Sequence, residues 1–184
     1  MAKRTWDEAV KTALRAYTQS VYFGNFVYLY GAKGVRLDSR ARIEEFFRME
    51  PEYFNRKYSA EEKEQIIRNS LGRIAYDCSG FVGWLCTGDM QYSTGQINNA
   101  DHVTSDLASG PAGSILYTTY HGAGRHIGLD IGYGFCCDMA CESTDANIKS
   151  HKAGVRLYKI SDGICQWEKT GQSRVLDYTG ADAR

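Results

Sequence analysis

Apolar residues recur three and four apart over Trp6, Val10, Ala13, Leu14, Tyr17 and Val21, a spacing that predicts a helix from Thr5 to about Tyr22. Thr5 and Glu8 stand at capping-box spacing at its start, and Gly24-Asn25 ends it. A short aromatic segment, Asn25 to Gly34, follows and is closed by glycines, as a pocket wall would be. Between Asp38 and Arg73 the chain is highly charged, with Ile43, Phe46, Phe47, Ile66 and Ile67 at helical spacing around Pro51. Two or three short helices are expected there, forming a solvated insertion at about 35–70 in which the glutamates at 44, 45, 61, 62 and 64 have no catalytic part.

The next apolar helix begins at Cys78, where Phe81 and Leu85, and Val82 and Cys86, sit four apart. From Thr87 to Pro111 the sequence is polar and turn-rich, which predicts a loop through Thr94–Asn99 with a short helix near Val103 to Leu107. Strands are expected at Ser114–Thr118, at His126–Ile131 with period-two alternation, at Phe135–Ala140 and at Val155–Ile160. Helices first and antiparallel strands last make an α+β pattern. In the hairpin, alternation places His126, Gly128 and Asp130 on one face and Ile127, Leu129 and Ile131 on the other. A three-residue loop, Gly132-Tyr133-Gly134, would pair Ile131 with Phe135 and bring Asp138 opposite Gly128 and diagonal to His126. A two-residue loop would turn Asp138 to the other face.

Composition narrows the function. With 184 residues and 43% hydrophobic content, the chain suits one globular domain spanning 1–184. Acidic and basic residues balance at 22 each and no basic cluster is interleaved with aromatics, so nucleic acid is not an expected partner. No apolar run reaches membrane-span length, and the N-terminal residues lack a signal-peptide core, so cytoplasmic synthesis is expected. The six cysteines are read as mostly free thiols. Cys136, Cys137 and Cys141 contain no C-x-x-C pair, and adjacent cysteines on a strand face opposite ways, so neither a metal nor any other cofactor is expected.

The chemistry centres on Cys78. At a helix N-terminus, backbone N–H groups and the helix dipole favour thiolate and can hold an oxyanion. His126 is the candidate base and Asp138 the group that orients it, an arrangement suited to acyl transfer. His102 and His151 read as exposed, and His121 is the one rival for the base. A buried structural cysteine is the alternative for Cys78.

The residues Asp77-Cys78-Ser79-Gly80-Phe81-Val82, followed by His126-Ile127-Gly128-Leu129-Asp130-Ile131-Gly132-Tyr133-Gly134, closely resemble the NlpC-type papain-like cell-wall cysteine peptidases. Tyr28-Leu29-Tyr30-Gly31-Ala32 is similar to that family's upstream aromatic-glycine segment, and Gly110 to Tyr117 to its strand before the histidine. The resemblance implies a papain-like fold that cleaves amide bonds in peptidoglycan stem peptides, with Cys78 as nucleophile and His126 as base. The family's third polar residue is often histidine, and its position falls on Asp138. Tyr28, Asp77 and Ser79 match positions that contact substrate in some relatives, with Asp77 facing an amine; helix capping is the other reading of Asp77. Arg125 and the charged insertion depart from the commonest pattern. The resemblance places the site of action at the cell wall, reached by phage lysis or dedicated export, and leaves open any inhibitor or immunity protein. An acyltransferase or deamidase using the same triad is a second possibility, and a non-catalytic cell-wall-binding or phage structural domain a third.

Overall fold

The computed structural model describes residues 3–89, 100–120 and 123–181. The chain forms a mixed α+β structure in which N-terminal helices precede a six-stranded antiparallel sheet. A short strand β1 (Arg4–Thr5) leads into helix α1 (Trp6–Phe23). The expected capping box is present, with the Thr5 hydroxyl accepting the Glu8 N–H and the Glu8 carboxylate accepting the Thr5 N–H. The buried stripe differs from the expected one: Ala9, Val10, Ala13 and Ala16 are covered, while Leu14 and Val21 remain 41% and 57% exposed. Alanines win because α1 lies close against the sheet and the helix that begins at Cys78, where larger side chains would not fit.

Strand β2 (Phe26–Tyr28) and strand β3 (Lys33–Arg36) come next, followed by three helices, α2 (Arg40–Met49), α3 (Pro51–Lys57) and α4 (Ala60–Ser70). Pro51 occupies the first turn of α3, where its missing N–H costs nothing. Strand β4 (Ile74–Tyr76) then pairs parallel with β2 and antiparallel with β3. The helices are not simply a solvated appendage as expected. Ile43, Phe46, Phe54, Tyr58, Ile66 and Ile67 form a second core with Val27 and Ala75 of this small sheet and Leu29 just after β2.

Helix α5 (Cys78–Thr87) carries the candidate nucleophile at its first position and is buried along most of its length. The expected loop at Thr94–Asn99 lies outside the described residues. The helix expected near Val103 is instead strand β5 (Asp101–Thr104), because the edge of the sheet offers it a hydrogen-bonding partner that local sequence does not reveal. Strands β6 (Ile115–Tyr120), β7 (Ala123–Gly132) and β8 (Phe135–Ala140) form an antiparallel meander, short helix α6 (Asp145–Lys149) follows, and β9 (Gly154–Lys159) adds to β8. The last segment returns as β10 (Lys169–Gln172), inserted between β5 and β6, and β11 (Leu176–Asp177) pairs parallel with β1.

The two faces of the sheet divide as the alternation requires. Ile127, Leu129, Cys137, Met139 and Val155 pack under α1 and α5, whereas Leu116, Cys136, Tyr158 and Trp167 cover the other face. Cys136 and Cys137 thus do point to opposite sides.

Candidate active site

The β7–β8 hairpin brings the expected partners together by a different route from the one the sequence suggested. The expected pairing of Gly128 with Asp138 is present, but Gly132 rather than Ile131 pairs with Phe135, so the connection is the two-residue turn Tyr133-Gly134. Both turn residues have positive φ, 51° and 74°, as a type I′ hairpin needs. Taken alone that turn would put Asp138 on the wrong face. A bulge between Asp130 and Gly132 inserts Ile131 and restores the register. The Asp130 carboxylate accepts the Gly132 N–H at 2.7 Å and fixes the bulge. A second irregularity, between Thr118 and Thr119 opposite His126 and Gly124, lies immediately before His126 on β7.

His126 Nε2 meets Asp138 Oδ2 at 2.8 Å, and the Cys78 thiol is close enough to the imidazole to act on its charge. The ring is largely buried, its side chain 15% exposed. Burial alone would lower the imidazole pKa. The hydrogen bonds to Asp138 and Cys78, and the Asp138 charge, outweigh that and raise it to about 9. Asp138 is fully buried, which would favour its neutral form, yet His126 and Arg156 hold its pKa at about 2.

Sequence reasoning missed the groups that support Asp138. Arg156, directly across from it on β9, donates from Nε to Oδ1 at 2.8 Å and from its terminal nitrogen to Oδ2, and the Tyr158 hydroxyl donates to Oδ2 at 2.8 Å. The carboxylate is therefore held by three side chains, and the guanidinium makes a two-pronged contact. A signal existed: the expected strand at Val155–Ile160, paired antiparallel with β8, puts Arg156 and Tyr158 on the Asp138 face. Trp167 had no such signal. Its indole stacks on the His126 ring at 5.5 Å between centroids and 16° between planes.

On the other side of the thiol, Tyr28, Asp77 and Ser79 lie beside Cys78. Tyr28 is buried, and burial followed by the Cys78 charge pushes its phenol pKa up. Asp77 is the N-cap of α5, accepting the Gly80 N–H at 2.7 Å and the Ser79 hydroxyl at 2.9 Å through Oδ1. Its charge does not wait for a substrate amine. The Lys33 ammonium bonds both Asp77 oxygens, at 2.7 and 2.8 Å, and also the Ser79 hydroxyl. Tyr30 and Tyr53 stack at 4.0 Å nearby, so the insertion contributes to this side of the site.

The rival His121 lies outside the described residues, and His102 and His151 are exposed. Among the described residues no cluster of His, Cys, Asp or Glu is arranged to hold a metal ion, and no helix is long and apolar enough to cross a membrane. A thiol at a helix N-terminus, a base with a raised pKa and a buried carboxylate behind it are together suited to nucleophilic attack on a carbonyl. No protein-family model matches the sequence, and no curated protein matches it.

Proposed function

We propose that this chain is a papain-like cysteine peptidase or amidase that cleaves amide bonds in bacterial peptidoglycan stem peptides. The observation that carries the reading is the Cys78–His126–Asp138 line, in which the imidazole bridges a helix-terminal thiol and a fully buried carboxylate. The substrate class comes from the resemblance of the motifs around Cys78 and His126, not from the geometry.

The thiol proton passes to His126, and Sγ attacks the amide carbon. The backbone N–H of Cys78, at the positive end of α5, holds the oxyanion. As the tetrahedral intermediate collapses, the imidazolium gives its proton to the departing amine and a thioester remains. His126 then takes a proton from water, which attacks the thioester, releases the carboxylate product and restores the thiol. Throughout, Asp138 holds the Nε2–H and stabilises the imidazolium, while Arg156 and Tyr158 keep the carboxylate in place.

Incubation with purified peptidoglycan, followed by mass spectrometry of the soluble products, tests the reading. Fragments that gain water at one stem-peptide amide are expected, and Cys78→Ala should abolish them. Ammonia release without chain cleavage, or products joined to an added amine, would instead identify a deamidase or an acyltransferase.

A further inference from the structure

We infer that Lys33 is a positioning residue for the nucleophile: its ammonium cancels the charge of the helix-capping Asp77 next to Cys78 and so lets the thiol ionise. This rests on Cys78 being the nucleophile, as proposed above, but not on any particular substrate.

A carboxylate makes a good N-cap, yet here it directly precedes the thiol. Asp77 is only 11% exposed in its side chain, so water screens its charge poorly. A negative group in that position opposes formation of a second negative charge on Sγ. Lys33 removes the conflict, with bonds to both Asp77 oxygens and to Ser79, and with its own side chain 34% exposed. The chain is shaped for this contact. A Cβ at Gly80 would meet Lys33 Cδ at 2.8 Å and the Ala32 carbonyl oxygen at 2.9 Å, so glycine in the first turn of α5 lets the lysine stem lie across it. Backbone pairing fixes the origin of that stem, since Lys33 pairs with Tyr76 and the Asp77 N–H donates to Ala32 at 2.7 Å.

The other titratable groups that bear on Cys78 do not take over this role. His126 supplies the proton acceptor from β7, while Tyr28 and Tyr30 come from β2 and the turn after it, and Cys165 from the C-terminal segment. Burial pushes both phenols up and the Cys165 thiol to about 12, so none of these three changes charge between pH 5 and 8.

Alkylation of the intact protein by iodoacetamide, read by peptide mapping at Cys78 between pH 5 and 8, tests the inference without a substrate. In that reaction the S–C bond forms as iodide leaves, and the thiol proton is released to the buffer. Lys33→Met should slow labelling about tenfold at pH 6 and move the profile to higher pH, the effect of roughly one pK unit from an uncompensated neighbouring charge. Adding Asp77→Asn to Lys33→Met should restore the rate, because asparagine caps the helix without the charge. Asp77→Asn alone, with the ammonium left unmatched, should speed labelling at pH 5; this arm stands even where Lys33→Met does not fold. Unchanged profiles, or a double variant as slow as Lys33→Met, would overturn the inference. Correct labelling profiles with no peptidoglycan fragments would leave it standing and refute the proposed substrate instead.

Discussion

At the scale of single residues, Asp138 decides how the site behaves. A fully buried carboxylate is tolerable only when its charge is met, and here His126, Arg156 and Tyr158 all meet it. The same pairings make stability depend on pH in two separate windows. His126 has a folded pKa of about 9, above its ordinary 6.5, so its contribution is complete below pH 6.5 and is lost as pH rises through about 9. Asp138 has a folded pKa of about 2, below its ordinary 3.8, so its contribution is complete above pH 3.8 and is lost as pH falls through about 2. Stability should therefore peak between pH 4 and 6.5, with each flank on the order of 2 to 3 kcal/mol. Urea midpoints at pH 3, 6 and 9.5 check this, and equal midpoints at pH 6 and 9.5 would contradict the His126–Asp138 pairing.

Strand β7 is the element that sets the geometry of the candidate site. Its alternation was readable, and so was the register at Gly128, but the bulge at Ile131 was not. The bulge falls just before the turn, where too little of the strand remains to show the break in period, so sequence spacing cannot distinguish a three-residue loop from a bulge followed by a two-residue turn. Gly128 shows a further demand on the strand that the pattern hides. A Cβ there would meet the Trp167 ring at 2.8 and 2.9 Å, and an indole wedged on His126 cannot bend away as a flexible side chain would. Gly128→Ala should accordingly lower stability by about 1 to 3 kcal/mol through overpacking. Thermal unfolding of the variant measures it, and an unchanged midpoint would mean that Trp167 does not sit on the strand as described.

Over the whole molecule, the helical segment between β3 and β4 is latched to the six-stranded sheet rather than merely attached. Glu142, just after β8 and fully buried, accepts from the Tyr53 hydroxyl at 2.9 Å and from Tyr58, with Lys57 at 3.4 Å. Helix α4 adds polar contacts from Asn69 to the Ser143 carbonyl and from Arg68 to Asp145. The Arg68 pair is exposed and weak, so Glu142 is the main latch. Glu142→Ala takes the acceptor from two tyrosine hydroxyls, of which Tyr53 keeps its bond from Lys57 at 2.7 Å while Tyr58 is left without one, and should cost about 2 kcal/mol. Hydrogen exchange should then quicken first in α3 and α4; uniform quickening across the sheet would show that the two parts open together.

The α+β order, the capped first helix, the helix start at Cys78 and the strands bearing His126 and Asp138 are legible in the residues alone. These follow from local periodicity and capping chemistry, which act over a few residues and need no distant partner. The clamp of Arg156 and Tyr158 on Asp138, the cover of Trp167 over His126, the pairing of Lys33 with Asp77 and the entry of β10 beside β6 emerge from packing. Each of these joins residues far apart in the chain. Charge pairing, ring stacking and strand addition depend on which surfaces the packed core brings within a few ångströms, and the identities of nearby residues in the sequence do not encode that.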